Sequence, residues 1–290
     1  MLYTLQNDTL TATVSTLGAE MCSVKRGACE YIWQGDPAYW SGKNPLLFPI
    51  CGRLAKGKYT YGGREYEMQL HGFVRKLEFA CLRHTDTEIE LRLTDNEQTR
   101  AVYPFAFALT ISYRLCGSRV ELRADMENCD ANPMPATFGG HPGFRVPLDG
   151  DSDFSEWFLE FGEECDPNAI EIAPSGLQTG LRTAYPLQNR RILPLSHDLF
   201  RIDGIFLARM ASSVTLRSHR CERSVTLRYP DMPYLGIWHA ANTDAPFVCI
   251  EPWCGLPDFD GRVRDLTQKS ELFHIPPQAS QTVGFDMIFD

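Results

Sequence analysis

The sequence lacks the features that usually mark membrane, nucleic-acid-binding and secreted proteins. No run approaches the roughly 18 apolar residues of a membrane span, and residues 1–8 lack the basic-then-apolar order of a signal peptide. The 28 Lys and Arg residues form no cluster of five, and the formal net charge is -9, so neither a nucleic acid nor an anionic membrane surface is expected as a partner. The ten cysteines include no Cys-x-x-Cys pair, which indicates free thiols. We therefore expect a cytoplasmic protein.

Several families of catalytic motif are also absent. There is no Gly-x-Ser-x-Gly nucleophile elbow, no complete Gly-x-x-x-x-Gly-Lys-Ser/Thr phosphate loop and no Gly-x-Gly-x-x-Gly dinucleotide fingerprint. His71 and His141 lie far apart, and neither has a second ligand at metal spacing. No basic residue close in sequence would activate Cys249 or Cys254 as a thiolate. The sequence thus predicts no cofactor and no metal, and it leaves acid/base chemistry by imidazole and carboxylate.

Alternation of apolar and polar residues is the dominant local pattern. Residues 88–93 and 119–126 alternate strictly, which is typical of half-buried strands. Residues 213–217 and 224–228 both read Ser-Val-Thr-Leu-Arg across a polar hexapeptide and predict a hairpin. Helical periodicity is almost absent, and 19 Pro and 22 Gly interrupt the chain. We expect an all-β, mostly antiparallel sandwich with few short helices, formed by residues 1–290 as a single domain.

Four segments break this alternation and combine apolar, Gly, Pro and aromatic residues with an ionisable side chain. Burying such a group costs several kcal/mol unless it is paired or changes its protonation state, so these positions are candidates for function. Neighbouring Gly allows close approach of a ligand, and Pro stiffens the chain. The segments are residues 44–53 with Arg53, 70–75 with His71, 138–144 with His141, and 248–255 with Glu251.

Each candidate also has a structural interpretation. A single histidine in an apolar segment is more often a hydrogen-bonded structural residue than a catalyst. Arg53 could form an ion pair at the edge of the sandwich, and Trp253 and Phe144 could belong to the core. Glu251 is harder to explain structurally, because glutamate is almost never fully buried without a partner.

At these four segments the sequence resembles the aldose 1-epimerase family, in its LacX-like branch. The matching blocks occur in family order and extend the resemblance over nearly the whole chain. They are Asn-Pro-Leu-Leu-Phe-Pro-Ile-Cys-Gly-Arg-Leu at 44–54, His-Gly-Phe-Val-Arg at 71–75, Gly-Gly-His-Pro-Gly-Phe at 139–144 and Ile-Glu-Pro-Trp-Cys-Gly at 250–255. The segment Pro-Tyr-Leu-Gly-Ile-Trp at 233–238 resembles the family as well.

The resemblance implies a galactose-mutarotase-like β-supersandwich that interconverts the α and β anomers of a hexose without a cofactor. It implies Glu251 as general base and His141 as general acid, with His71 and Arg53 orienting the sugar. Asp203 falls near the position where the family places an acidic residue that binds a hydroxyl group.

Three further residues complete the predicted sugar site. Arg75 lies in one of the family-like blocks, and Trp253 or Phe144 would suit the apolar face of a sugar ring. Leu70 and Lys76 depart from residues frequent in relatives, and they lie where the rim of the site would be.

Three other functions remain open from the sequence. The first is a non-catalytic sugar-binding module, because a fold can be retained without its catalytic activity. The second is a mutarotase for a phosphorylated hexose, which would need a cationic pocket to which Arg75, Lys76 or Arg145 could contribute. The third is a glycosidase or lyase, which would need paired carboxylates or a tyrosine base. Whether the protein forms a homodimer is also open.

Overall fold

The computed structural model describes residues 1–290, and strands make up most of its regular secondary structure. In chain order the strands are β1 (Leu2–Gln6), β2 (Thr11–Ser15), β3 (Met21–Arg26), β4 (Cys29–Glu30), β5 (Leu46–Leu47), β6 (Lys58–Tyr61), β7 (Arg64–Glu67), β8 (Ala80–His84), β9 (Glu88–Thr94), β10 (Phe107–Cys116), β11 (Arg119–Asn128), β12 (Met134–Ala136), β13 (Gly139–Gly140), β14 (Gly143–Arg145), β15 (Trp157–Phe161), β16 (Asn168–Ile172), β17 (Gln178–Ala184), β18 (Ile192–Pro194), β19 (Ile205–Ala208), β20 (Ser213–Ser218), β21 (Val225–Arg228), β22 (Tyr234–Trp238), β23 (Phe247–Trp253), β24 (Phe273–Ile275) and β25 (Ser280–Phe289).

Helices are few and short, as the sequence predicts. There is one α-helix, α1 (Glu97–Val102), which begins with a capping box between Asn96 and Thr99. The 3₁₀ segments are Ala55–Gly57, Val74–Lys76, Phe154–Glu156, His197–Phe200 and Leu266–Gln268. None of the helices has the length and apolar character needed to cross a membrane.

Two large antiparallel sheets form the body of the molecule. One has nine strands in the order β18-β15-β20-β21-β25-β11-β10-β9-β8. The other has the order β17-β16-β19-β22-β23-β13-β5, with β14 paired to β23. Smaller sheets are formed by β1 to β4, by β6 with β7, and by β12 with β24. Both large sheets contribute side chains to one cluster of 64 buried residues, so the main core lies between them.

The strands predicted from alternation are confirmed. Residues 88–93 lie in β9 and 119–126 lie in β11, and their apolar side chains are the buried ones. The predicted hairpin is formed by β20 and β21, with Leu216 opposite Val225. Each strand turns alternate side chains to opposite faces, so one face of the sheet is buried against the core and the other is not.

Candidate active site

Strand β23 places Glu251 on the face of its sheet that points away from the main core. Val248 and Ile250 belong to the main core cluster. Because side chains alternate along a strand, Cys249, Glu251 and Trp253 point to the opposite face. Cys249 and Trp253 accordingly belong to two small clusters separate from the main core. Glu251 therefore lies on the floor of a cleft, with only 2% of its surface exposed.

His141 follows directly after the two-residue strand β13. Its backbone N–H donates a hydrogen bond of 3.0 Å to the carbonyl of Pro45. The preceding Gly140 packs against the Phe285 ring, where an added Cβ would lie 2.5 Å from the ring carbons, so a side chain there would push the segment away from the core. The imidazole Nδ1 is buried and has no hydrogen-bond partner. The local fold thus brings the His141 imidazole against β23.

His71 is held in a left-handed backbone conformation by two hydrogen bonds with Gly52. Its φ is 63°, its backbone N–H donates to the Gly52 carbonyl at 2.9 Å, and its Nδ1 accepts from the Gly52 N–H at 3.0 Å. Gly72 must be glycine, because an added Cβ would lie 2.0 Å from the Phe48 carbonyl oxygen. Since Nδ1 is an acceptor, the neutral ring carries its proton on Nε2.

The three predicted catalytic side chains converge. His141 Nε2 lies 3.3 Å from Glu251 Oε2, and the imidazole rings of His71 and His141 have centroids 5.6 Å apart. Burial lowers the pKa of both histidines below the ordinary imidazole value. Burial, together with the charge of Asp203, raises the pKa of Glu251 well above the ordinary carboxyl value. These shifts favour a His141–Glu251 pair that shares one proton and has no net charge.

The cleft around this pair has a volume of about 480 Å³. Arg53, Arg75, Asp203 and Trp253 line it, as do all three predicted catalytic residues. These seven residues, from β23 and four separate connecting segments, thus meet in one open pocket. The structure therefore brings together seven of the eight residues predicted from the sequence.

The charged residues at the cleft rim differ in how firmly they are held. Arg75 is half-buried, and its guanidinium donates a hydrogen bond of 3.0 Å to the Leu70 carbonyl. Asp203 is exposed and accepts a hydrogen bond of 2.8 Å from the Gly204 N–H. Arg53 is exposed, and its side chain runs past Gly176. Lys76 does not line the cleft, and its ammonium bonds the Gln69 amide oxygen at 2.6 Å instead.

The two predicted aromatic contacts have different outcomes. Trp253 lies on the cleft floor with its ring centroid 5.5 Å from that of His71, and its Nε1 has no partner within the protein. Phe144, by contrast, does not line the cleft. It pairs with Val248 and points into the main core, where its ring approaches Phe289. The predicted contact of Phe144 with sugar is wrong, because Phe144 lies on the core face of β14.

Aromatic residues that the sequence did not single out cover His141. The Trp40 ring stacks on the imidazole at 5.0 Å and 29°, and Trp238 meets it edge-on at 5.7 Å. Phe206 also lines the cleft, 5.2 Å from Trp253. Trp238 ends the family-like segment at 233–238, which is the signal that could have identified it. Trp40 lies in an irregular loop outside every motif.

One donor set could hold a metal ion. Ligand atoms of His141, Cys249 and Glu251 lie within 4.8 Å of one another. The sequence does not reveal this set, because His141 comes from a distant segment. Without a metal, the same groups can take up and release protons beside a small molecule that carries hydroxyl groups.

Comparison with known proteins agrees with this geometry. The model of the family described as aldose 1-epimerase matches residues 1–259. The plasmid-encoded protein LacX of Lactococcus lactis is 32% identical over 300 residues, with 99% of each chain covered. A galactose mutarotase related enzyme from Lactobacillus acidophilus has a TM-score of 0.95 at 33% identity, covering 100% of this chain and 97% of its own.

A second solved structure gives the same result. A galactose mutarotase-like protein from Lactobacillus casei has a TM-score of 0.94 at 29% identity, and all of both chains is covered. The predicted fold is therefore confirmed as galactose-mutarotase-like. The chain belongs to the aldose 1-epimerase family of isomerases.

Proposed function

We propose that this protein is a cofactor-independent mutarotase that interconverts the α and β anomers of a free hexose. The observation that carries the proposal is the 3.3 Å contact between His141 Nε2 and Glu251 Oε2 in an open cleft. An acid and a base of this kind can each contribute about 10²- to 10⁴-fold to the rate.

The proposed reaction keeps the number of protons on the pair constant. The shifted pKa values leave the single proton of the pair on Glu251, so the reaction begins when this proton passes across the 3.3 Å contact to His141. In that tautomer Glu251 accepts the proton of the anomeric hydroxyl while His141 gives a proton to the ring oxygen, and the bond between C1 and the ring oxygen breaks. The open-chain aldehyde rotates about the C1–C2 bond and closes from its other face, and closure reverses both proton transfers. Each turnover therefore returns the pair to its starting state without exchange of protons with solvent.

His71 acts as a neutral hydrogen-bond donor in this proposal. Its Nδ1 already accepts from Gly52, so a second ring proton would cost that hydrogen bond. The Nε2–H remains to donate to the sugar. Arg53 and Asp203 lie at the rim, where a guanidinium and a carboxylate can bind hydroxyl groups.

The charge of the cleft favours a neutral hexose over a phosphorylated one. Arg53 and Arg75 line it, but so do the carboxylates Glu20 and Asp203, and the His141–Glu251 pair adds no net charge. Lys76 and Arg145 are not among the lining residues. Competition of glucose 6-phosphate against glucose tests this point, and stronger binding of the phosphate ester would identify a phosphosugar mutarotase.

The remaining alternatives have less support. A binding module has no need for an acid opposed to a base. The group in contact with Glu251 is an imidazole, and Asp203, the carboxylate whose charge acts on it, is exposed at the rim rather than held as a second catalytic carboxyl of the kind glycosidases use. Release of reducing sugar from an oligosaccharide would reveal a glycosidase or lyase.

Polarimetry of freshly dissolved α-glucose and α-galactose provides the test. We expect the wild-type protein to accelerate the change of rotation and Glu251→Gln to abolish the acceleration, because the amide cannot accept the proton. Calorimetric titration with the sugar should still detect binding by the variant. A wild-type rate in Glu251→Gln would remove this residue from the mechanism.

We also propose that residues 1–290 form one domain in a reducing, cytoplasmic compartment. The main core draws on residues from Leu5 to Phe289, which supports one folding unit. All ten cysteines are free, including the buried Cys51, Cys249 and Cys254, which supports a reducing environment.

A further inference from the structure

Cys249 is a buried thiol beside the catalytic pair, and the proposed proton transfers do not use it. It lies two residues before Glu251 on β23, so both side chains point to the same face of the sheet. Its surface is fully buried, among Trp33, Phe247 and Ala245. Its Sγ lies within 4.8 Å of ligand atoms of both His141 and Glu251.

We propose that His141, Cys249 and Glu251 form a binding site for a zinc-class transition metal ion, and that the bound ion blocks mutarotation. The second part rests on the proposed function, whereas the first does not. A thiolate, an imidazole and a carboxylate together form a three-ligand set for Zn²⁺, and a water from the cleft would supply the fourth ligand.

The spacing of the donors is close to that of a metal site. Tetrahedral Zn²⁺ with bonds of about 2.0 to 2.3 Å holds its ligand atoms roughly 3.5 Å apart. The His141–Glu251 contact of 3.3 Å already meets this spacing. The Cys249 Sγ lies within 4.8 Å of both other donors, so it must move closer by at most about 1 Å, which a rotation of about 30° about its Cα–Cβ bond can provide.

The choice of ion follows from the sulfur ligand. A thiolate selects soft and borderline ions, whereas Mg²⁺ and Ca²⁺ prefer sites made only of oxygen atoms. Binding releases two protons to solvent, one from the Cys249 thiol and one from the His141–Glu251 pair. An ion bound at this site occupies the lone pairs of His141 and Glu251 that would accept the protons of the sugar. The protein therefore cannot catalyse mutarotation while the metal is bound.

Cobalt(II) is a suitable probe because thiolate ligation gives a charge-transfer band in the near ultraviolet. The full-length protein, first dialysed against a chelator, is titrated with Co²⁺ and then with Zn²⁺. We expect the band to appear with Co²⁺ and to disappear on displacement by Zn²⁺. Mg²⁺ should neither produce nor displace it.

Two buried cysteines provide a matched pair of variants. Cys249→Ala and Cys249→Ser should both lose the band, and either variant suffices if the other fails to fold. Cys254→Ala should keep it, because the Cys254 Sγ lies 3.8 Å from the Asp231 carbonyl and outside this donor set. A band that survives both substitutions of Cys249, or that never forms in the wild type, would overturn the site.

Polarimetry in the same buffers tests the second part. Zn²⁺ should lower the wild-type rate at least about tenfold at saturation, as expected when the catalytic pair is occupied, and sugar should protect against it. Cys249→Ala should keep its rate with and without Zn²⁺. A cobalt band in a protein that never accelerates mutarotation would retain the metal site and remove the proposed function. An unchanged rate in zinc-saturated wild type would overturn the blocking role.

Discussion

The protein buries two glutamates whose surroundings differ in kind. Glu30, at the end of β4, accepts hydrogen bonds of 3.0 Å from the backbone N–H groups of Val24 and Ile32, and a third from the hydroxyl of Ser23. Glu251 has no backbone donor, and its partner is the imidazole of His141. Backbone donors that are fixed by the sheet hold the Glu30 carboxylate in one place. A titratable partner in a cleft leaves the carboxylate free to exchange a proton.

The comparison separates structural from reactive burial. Glu30 ties β3 to β4 and lies outside the cleft. Glu251 lines the cleft, and burial disfavours its charged form, so its pKa is raised. Low exposure alone therefore does not identify a functional carboxylate. A functional carboxylate is distinguished by which groups donate hydrogen bonds to it.

Removing the titratable partner should have the largest effect. His141→Asn is expected to lower the mutarotation rate by about 10²- to 10⁴-fold, because the amide cannot protonate the ring oxygen. Ser23→Ala, which removes one donor to Glu30, should leave the rate close to wild type. Polarimetry of both variants checks the contrast, and equal losses would mean that overall stability governs the rate.

The pH dependence of kcat/KM also tests the role of the His141–Glu251 pair. In the wild type a second proton joins the pair only well below the ordinary imidazole value of 6.5, because burial lowers the pKa of His141. The remaining proton leaves above the ordinary carboxyl value of 4.5, because the pKa of Glu251 is raised. We expect kcat/KM to fall on the acid side only well below pH 6.5. A single titration centred at that value, or an unchanged pH profile in His141→Asn, would contradict the role of His141 as acid.

Stability should respond in opposite directions at the two glutamates. Glu30→Gln is expected to lower the free energy of unfolding by about 1 to 3 kcal/mol, because the amide replaces an acceptor for buried N–H groups. Glu251→Gln should raise it by about 0.5 to 2 kcal/mol at pH 7 to 8, because the amide, unlike the carboxylate of the unfolded chain, does not have to take up a proton when it is buried. Denaturant midpoints of both variants measure the difference.

The expected increase in the stability of Glu251→Gln can be checked by measuring it at several pH values. A carboxyl whose pKa is raised by folding contributes stability below its unfolded value of about 4.5, and this contribution is lost as pH rises. The gain in Glu251→Gln should therefore shrink as the pH falls below that value. A gain that is constant with pH would show that packing, rather than charge, is responsible.

The strands could be predicted from sequence because alternation is a local property. Residues 88–93 and 119–126 show it without reference to any other segment, and both are strands. The meeting of His71, His141 and Glu251 could not be derived in this way. Each comes from a different segment, so only the resemblance to a family placed them together.

Alternation along β14 bears on the wrong prediction for Phe144, but no alternation could have identified Trp40. Gly143 is opposite Cys249 and Phe144 is opposite Val248, so the period of two assigns Phe144 to the core face. Trp40 lies in a loop with neither periodicity nor motif. Only the tertiary fold brings its ring onto His141, and no local pattern encodes that contact.

The smallest change in rate is expected for substitutions of Trp40. They test how His141 is held in place against Glu251. His141 Nδ1 has no hydrogen bond, so the ring is oriented by Glu251, by Trp238 and by stacking on Trp40. Trp40→Ala should allow the imidazole to tilt and lower kcat by about tenfold, since small misplacements of a catalytic group are costly. Trp40→Phe keeps a stacking ring and should recover most of the loss. If both variants raise KM and leave kcat unchanged, Trp40 contacts the sugar and does not position His141.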